Sequence, residues 1–196
     1  MKIIVISYPN RYPNEASIIN DLFKNGLDIL HLRKPLYSKE AMCYLLDMIN
    51  IEYHNRIVIH SHYDLYLNNI YNLNGIHLTK DSKYYIDKYI NSTSKVSVST
   101  HSFEEVLLFK DKTRYMFISP VFDSISKENY KSNISIEKLK NNSYINKLVA
   151  LGGIQDINIE SIKKLNLYGI ALLGHIWKKN HEIENFKIIK EIVNCL

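Results

Sequence analysis

Short apolar runs alternate along this chain with longer stretches in which apolar residues recur at helical spacing. The apolar runs are rich in β-branched residues, and Ile3–Ile6 and Ile57–Ile59 contain no polar position at all. Such continuous runs are typical of parallel strands that are covered on both faces. We therefore predict eight strands, at residues 2–9, 27–34, 56–61, 75–79, 95–100, 115–122, 147–154 and 169–177.

The stretches between these strands carry helix start and stop signals. Residues 15–25 place Ile19 and Leu22 on one face and are followed by Gly26, a typical residue after a helix. Ser102 and Glu105 have the spacing of a capping box. We predict helices at 15–25, 38–49, 62–73, 82–90, 102–110, 135–142, 157–165 and 183–196.

Eight strand-helix units of roughly 25 residues each predict a (β/α)₈ TIM barrel. The barrel would form a single domain that spans residues 1–196. A doubly wound open sheet is the competing architecture, and it usually has a G-x-G-x-x-G turn after its first strand. The segment after Ile6 reads SYPNRYPN, so the barrel is the better prediction.

Composition narrows the class of protein further. The chain has 196 residues, is 46% hydrophobic and carries a formal net charge of +5. Its basic residues are dispersed rather than clustered, so we expect no nucleic-acid partner. Cys43 and Cys195 fit no metal or redox spacing and favour a reducing compartment. With no visible secretory signal and no apolar stretch of membrane length, we expect a soluble, cytoplasmic protein without membrane contact. The sequence leaves open whether it forms a homodimer.

Glycines mark the ends of the last two predicted strands. Gly152 and Gly153 end the seventh, and Gly174 lies near the end of the eighth. Glycine lets the backbone approach an oxyanion closely, and a following helix N-terminus offers free N–H groups. Barrels of this class frequently bind phosphate after strands seven and eight. The ligand is therefore expected to carry a phosphate.

Further anion-binding side chains are expected near the ends of strands two, five and six. Arg33 offers a rigid fork of donors that suits phosphate, although a structural ion pair at the barrel rim is the alternative. Ser99 ends the fifth strand, and Ser124, Ser126 and Lys127 follow the sixth. Two hydroxyls and a lysine can surround a diphosphate. Together with the glycines, these residues predict a site that binds an anionic group at each of its two ends.

Histidines occur in or after strands two, three and four. Alternation sends His31 and the arginine two residues later to one face of the second strand. His60 and His62, with Asp64 nearby, allow either a metal site or a polar lining of the barrel mouth, and we favour the polar lining. His77 stands alone in an apolar strand, so we interpret it as a hydrogen-bonded core residue.

Six fragments in barrel order resemble the thiamine phosphate synthase/TenI family. LHLRK is similar to the family's LQLREK, GIHL to GVHL, ALGGI to AIGGI and GIA to GVA. VSTH is shared, and SPVF with the following serines and lysine is similar to GPVF-x-T-x-TK. Each fragment is common by itself, whereas six in this order are specific. They lie at residues 30–34, 75–78, 98–101, 119–127, 150–154 and 169–171.

The resemblance implies an activity and a set of contacts. The family's synthases join an aminopyrimidine diphosphate to a hydroxyethylthiazole phosphate and release pyrophosphate. By resemblance, the pyrimidine diphosphate would contact Arg33, Ser99, Ser124, Ser126 and Lys127. The thiazole phosphate would contact Gly152, Gly153 and the backbone of Gly174, His175 and Ile176.

The chain departs from the family at the metal site. Family synthases hold Mg²⁺ with one aspartate after strand three and another after strand four, where this chain has Ser61 and Ser82. Mg²⁺ prefers hard anionic oxygen ligands. Asp81 is the candidate replacement ligand, or charge on His31 and His60 takes over part of the role of the metal. The resemblance thus implies a synthase-like transferase with a remodelled metal site.

Two other functions remain open at this stage. TenI-type members isomerise thiazole phosphate by proton transfer and also lack the metal carboxylates. Their catalytic histidine aligns here with Pro120, so a tautomerase would need His31 or His60 as its base. The third possibility is a non-catalytic binder of a phosphorylated heterocycle.

Overall fold

Eight parallel strands close into a barrel in chain order in the computed structural model, which describes residues 1–90, 95–123 and 134–195. Each strand pairs with its sequence neighbour, and the eighth closes the ring on the first, with Ile3 opposite Ile170. The (β/α)₈ prediction is confirmed, and the open doubly wound sheet is excluded. The strands are β1 Lys2–Ile6, β2 Ile29–Leu32, β3 Ile57–Ile59, β4 Gly75–Leu78, β5 Val96–Thr100, β6 Tyr115–Ile118, β7 Leu148–Leu151 and β8 Gly169–Leu172.

Helices follow the strands and cover the outside of the barrel. The connection after β4 contains a 3₁₀ helix, Lys80–Lys88, and two shorter 3₁₀ helices occupy Ile51–Arg56 and Ile145–Lys147. Among the described helices, none is both long and apolar enough to cross a membrane. The α-helices are α1 Glu15–Lys24, α2 Lys39–Asp47, α3 Asp64–Leu67, α4 Phe103–Phe109, α5 Ile136–Lys140, α6 Glu160–Lys163 and α7 Glu182–Asn194.

Local signals determine several helix ends. The Ser102 hydroxyl accepts a hydrogen bond from the Glu105 amide at the start of α4, as its spacing predicted. Gly26 follows α1 with a φ of +92°, a conformation that favours glycine. The predicted helix 62–73 is wrong beyond α3, because the left-handed Asn69 (φ 50°) prevents it from continuing.

Side chains alternate between the two faces of the closed sheet and form two apolar layers. One cluster, which includes Ile4, Ile29 and Phe117, fills the inside of the barrel. A larger cluster, which includes Ile3 and Leu30, packs between the strands and the helices. Burial on both faces explains why the strands appear in the sequence as continuous apolar runs.

A buried ion pair fixes the loop after β1 to the end of β2. The Lys34 ammonium group donates to the Glu15 carboxylate at 2.6 Å and to the backbone carbonyls of Tyr8 and Asn10 at 2.7 and 2.8 Å. Both charged side chains are almost completely buried. Each buried charge is stabilised by the other, and the hydrogen bonds of Lys34 to the two carbonyls fix the loop at one edge of the barrel mouth.

We expect Lys34→Ala to lower the free energy of unfolding by about 3–5 kcal/mol, because it leaves the Glu15 carboxylate buried without a partner. Lys39→Ala is the matched control, since Lys39 pairs with Asp64 at the exposed surface, and we expect it to have little effect. Urea denaturation of both variants provides the comparison. Equal losses of stability would contradict the structural role of Lys34.

Candidate functional site

A cavity of about 510 Å³ opens at the carboxyl ends of the strands. This is the end at which TIM barrels carry out their chemistry. Basic and hydroxyl side chains and glycine backbone line it together with apolar side chains. The polar and glycine members are Arg33, His60, His77, Thr79, Lys80, Ser99, His101, Ser119, Gly152, Gly153, Gln155, Gly174, His175 and Lys178.

The glycines after β7 and β8 line the same cavity, and these strands are the seventh and eighth, as predicted. Gly152 and Gly153 have φ values of +98° and +64°. A Cβ atom on Gly153 would lie 2.4 Å from the Asp123 carbonyl oxygen, whereas one on Gly174 would meet no atom within 4 Å. Gly153 is therefore required by the backbone, and Gly174 leaves space open in the cavity.

Free backbone donors surround this space. The N–H groups of Gly153, Gly174 and His175 donate to no residue in the described parts of the chain. The amide of Ile176, in contrast, already donates to the Leu173 carbonyl at 3.0 Å. Backbone N–H groups without a partner are the donors that anion sites use. The free amides thus fit the phosphate predicted from the sequence, whereas Ile176, whose amide is engaged, does not line the cavity.

His175 adds a polar side chain that the sequence did not single out, since only its backbone was predicted to bind. The residue is 7% exposed, and neither ring nitrogen has a hydrogen-bond partner among the described atoms. Burial lowers its pKa, and the nearby charge of Lys178 lowers it further. Because buried polar groups are normally paired, these two free nitrogens indicate a ligand with hydrogen-bonding atoms.

Three imidazoles from neighbouring strands, His31, His60 and His77, meet at the centre of the barrel, and we call them the histidine cluster. His31 Nδ1 lies 2.9 Å from His60 Nε2. The ring centroids are 4.5 Å apart for His60 and His77 and 5.0 Å apart for His31 and His77. His60 and His77 line the cavity, whereas His31 is completely buried.

Hydroxyl groups around the histidine cluster form hydrogen bonds with two of its rings. Tyr115 Oη lies 2.7 Å from His31 Nε2, and Ser97 Oγ lies 2.8 Å from His77 Nδ1. The other nitrogen of His77, Nε2, lies 2.9 Å from Ser99 Oγ. His77 is therefore a buried, hydrogen-bonded residue of the interior, in line with its interpretation from the sequence, and it also faces the cavity.

The imidazoles of the histidine cluster are neutral at pH 7. Burial lowers the pKa of His77 to about 3, with help from the positive charge of Arg33. Burial also holds the pKa values of His31 and His60 well below the usual range, and the neighbouring imidazoles lower them further. Lone pairs on these rings are consequently available to a metal ion rather than to a proton. The neutral rings of His31 and His60 do not carry the positive charge that the sequence suggested as a partial replacement for the metal.

The anion-binding residues predicted on strands two and five lie at the cavity. Arg33 lines it and forms no ion pair with a carboxylate of the described residues, so the rim ion pair considered from the sequence is not observed among them. Ser99 lines it as well. Lys80 and Lys178 add positive charges that the sequence did not indicate. Ser124, Ser126 and Lys127 lie outside the described residues.

The alternative metal site built on His60, His62 and Asp64 does not assemble. The His62 ring donates from Nε2 to the Tyr37 carbonyl at 2.9 Å, and Asp64 pairs with Lys39. Of these three residues, only His60 lines the cavity. The preferred interpretation, a polar lining of the mouth, therefore fits His60 and not the other two residues.

The described side chains do not fit a Mg²⁺ site. Ser82 Oγ accepts from the Thr79 amide and donates to the Thr79 carbonyl at 2.6 Å, so it caps a helix rather than facing a ligand. Ser61 Oγ is buried without a partner among the described atoms. Asp81 lies in the 3₁₀ helix after β4, and its side chain is outside the described part. No described residue lining the cavity carries a carboxylate, the ligand that Mg²⁺ favours.

Comparison with known proteins gives consistent matches. A family model described as thiamine monophosphate synthase matches residues 3–176. A thiamine-phosphate synthase of Clostridium tetani is 30% identical over 170 residues, which cover 83% of this chain and 80% of the relative. A thiamine phosphate pyrophosphorylase of Bacteroides thetaiotaomicron has a crystal structure with a TM-score of 0.81, 36% identity and coverage of 98% of this chain and 97% of that chain. Another from Pyrococcus furiosus has a TM-score of 0.80 at 19% identity, which supports the fold alone; it covers 98% and 95% of the two chains.

We expect the free energy of unfolding to decrease as the pH falls below about 6.5, the pKa of a histidine in an unfolded chain. Below this pH the histidines bind protons in the unfolded chain but not in the folded histidine cluster. The free energy of unfolding therefore falls by about 1.4 kcal/mol per pH unit for each fully buried ring. For His77 the loss continues down to about pH 3. Urea denaturation in metal-free buffer measures it. The free energy of unfolding of the double variant His31→Gln/His60→Asn should depend less steeply on pH. An unchanged slope would contradict the conclusion that the folded cluster stays neutral.

Two glycine variants separate backbone strain from ligand space. We expect Gly153→Ala to cost about 1–3 kcal/mol of stability, because alanine is strained at a positive φ and its Cβ would clash with Asp123. Gly174→Ala should leave the melting temperature nearly unchanged, because its Cβ meets no atom. Thermal melts of both variants test this, and similar losses in the two would show that the assigned roles are wrong.

Proposed function

Because this chain belongs to the thiamine monophosphate synthase family, we propose that it joins a pyrimidine diphosphate to a thiazole phosphate and releases pyrophosphate. One observation carries the proposal. A single cavity is lined by an arginine at the end of β2 and by backbone N–H groups after β7 and β8, and neither the guanidinium ion nor these amides have a partner among the described residues. Two substrates that each carry one anionic group, a diphosphate and a phosphate, match that arrangement.

The proposed reaction breaks the C–O bond between the pyrimidine methylene group and its diphosphate. The bonding electron pair leaves with pyrophosphate, and the lone pair of the thiazole ring nitrogen forms the new C–N bond. The electron-deficient methylene group must meet thiazole before it meets water. The protein therefore has to neutralise the leaving group and exclude solvent between the two rings.

Arg33 is the proposed contact for the diphosphate. Its guanidinium group can donate two parallel hydrogen bonds to phosphate oxygens. Ser99, at the end of β5, and Lys80, after β4, line the same cavity and add a hydroxyl donor and a positive charge. Ser124, Ser126 and Lys127 would complete this half of the site from the loop after β6, as the resemblance implies.

The thiazole phosphate is proposed to bind at the loops after β7 and β8. The N–H groups of Gly153, Gly174 and His175 would donate to its oxygens, with Gly152 shaping the turn. The His175 ring, which is buried and unpaired among the described atoms, would add a side-chain donor. Lys178 lies close enough to lower the pKa of His175, so it adds positive charge at the phosphate.

Asp81 is the candidate Mg²⁺ ligand that the sequence offers. The described lining of the cavity supplies no carboxylate to accompany it, so the proposed reaction does not rely on this ion. The positive side chains of Arg33, Lys80 and Lys178 neutralise charge on the anionic groups instead. A low or absent dependence of the rate on Mg²⁺ follows from this arrangement.

A thiazole phosphate tautomerase is the second candidate, and one observation favours it. His60 lines the cavity and connects through His31 to the Tyr115 hydroxyl, with contacts of 2.9 and 2.7 Å. This chain of hydrogen-bonded groups provides a path for a proton, but the lowered pKa of His60 makes it a weak base. Pro120 cannot serve as the base, and of the two histidines predicted for that role only His60 lines the cavity. A binder without catalysis is the remaining alternative.

Pyrophosphate release from the two substrates, with and without Mg²⁺, tests the synthase proposal. We expect Arg33→Gln to reduce kcat/KM about 10- to 100-fold, because it removes a charge-assisted contact to the leaving group. Arg11→Gln, at a residue outside the cavity, is the matched control and should retain activity. Absence of pyrophosphate release by the wild-type protein under both conditions would reject the proposal.

Deuterium exchange into the thiazole distinguishes the second candidate. Exchange that disappears in His60→Asn, without pyrophosphate release in the wild-type protein, would establish the tautomerase instead. If neither reaction occurs but thiazole phosphate raises the melting temperature, the protein is a binder.

A further inference from the structure

We propose that the histidine cluster is a binding site for a borderline transition-metal ion, with Zn²⁺ or Co²⁺ as the fitting ions. Imidazole suits these ions, whereas Mg²⁺ requires oxygen ligands. The proposal goes beyond the transferase function, because it concerns His31, His60 and His77 alone. It also does not depend on which reaction the barrel catalyses.

The spacing of the rings carries the proposal. One ring nitrogen from each of the three histidines lies within 4.8 Å of the others. Tetrahedral Zn²⁺ with Zn–N bonds of about 2.0–2.1 Å needs nitrogens roughly 3.3 Å apart. The pair His31 Nδ1 and His60 Nε2 is 2.9 Å apart. A bound ion would replace this hydrogen bond and the contact between His77 Nε2 and the Ser99 hydroxyl.

The strand register brings these three rings together inside the barrel. His31 is opposite Val58 in the β2–β3 register, and Ile59 is opposite Ile76 in the β3–β4 register. His60 and His77, each the next residue, therefore face one another across adjacent strands. His31 and His77 lie within strands and His60 directly follows β3, so the three ligands are held more rigidly than ligands on loops.

The outer contacts of the rings resemble those of metal-bound histidines, whose second nitrogen usually bonds to a neighbouring group. Tyr115 occupies His31 Nε2, and this leaves Nδ1 facing the cluster. Ser97 occupies His77 Nδ1, and this leaves Nε2 facing the Ser99 hydroxyl. His60 Nδ1 is buried and has no partner among the described atoms.

Surrounding charge sets the selectivity of the site. No described residue lining the adjacent cavity carries a carboxylate, and Arg33 is close enough to act on two of the three imidazoles. Ions that need anionic protein ligands are therefore disfavoured. Three neutral imidazoles leave a fourth position for water or an anionic oxygen from the cavity, as in zinc sites with three protein ligands.

Titration of the full-length, chelator-treated protein with Co²⁺ tests the site by visible absorption. We expect one ion per chain, the intense d–d bands of four-coordinate Co²⁺, their loss on addition of Zn²⁺, and no displacement by excess Mg²⁺. His31→Gln and His60→Asn should each weaken binding by about tenfold or more. Tyr115→Phe, which keeps all three ligands, should weaken it by about tenfold, as is typical when an outer contact is lost.

His62→Asn is the matched control, because His62 lies two residues from His60 and outside the cavity, and asparagine tolerates its φ of +52°. It should bind Co²⁺ like the wild-type protein. Circular dichroism of each metal-free variant establishes that it is folded, and a rise in melting temperature with Zn²⁺ provides a second readout. Absence of the four-coordinate spectrum in the wild-type protein, or undiminished binding in folded His31→Gln and His60→Asn, would overturn the proposal.

Discussion

Closure of eight parallel strands is the constraint on which the rest of this molecule depends. It aligns every carboxyl end in one ring and sends alternate side chains to the interior. Arg33, Ser99 and the glycines after β7 and β8 are far apart in the sequence, yet they line one cavity because each lies at or just beyond a strand end. The same alternation places a side chain inside the barrel wherever a polar residue occupies an inward position, as at His31 and His77. The site therefore results from the closed topology together with a few polar residues at inward-facing strand positions.

The interior is divided between packing and chemistry. Apolar side chains such as Ile4, Ile29 and Phe117 fill part of it. The histidine cluster fills another part with hydrogen-bonded imidazoles, at a cost in desolvation that appears as lowered pKa values. Tyr115 and Ser97 reduce this cost by pairing with two of the rings. A polar interior of neutral imidazoles favours the proposed metal binding, whereas the lowered pKa values make these rings weak bases for proton transfer.

Sequence patterns predicted the barrel well, because burial on both faces leaves an unambiguous signal in a strand. The glycines were informative for a similar reason, since the positive φ of Gly153 restricts the position to few residue types. The 3₁₀ helices Ile51–Arg56 and Ile145–Lys147 are too short to show a period and were not predicted. The histidine cluster escaped recognition as a unit, because its assembly depends on the register between strands. His77 taken alone was indistinguishable from a core residue, and the ring of His175 gave no signal besides its residue type.

A crystal structure of the full chain with pyrophosphate and thiazole phosphate bound tests most directly whether the barrel mouth is a site for two anionic groups. We predict pyrophosphate beside Arg33 and Ser99, and the thiazole phosphate against the backbone N–H groups of Gly153, Gly174 and His175. Both ligands bound away from these residues, for instance in the groove between Pro9 and Met48, would contradict the account.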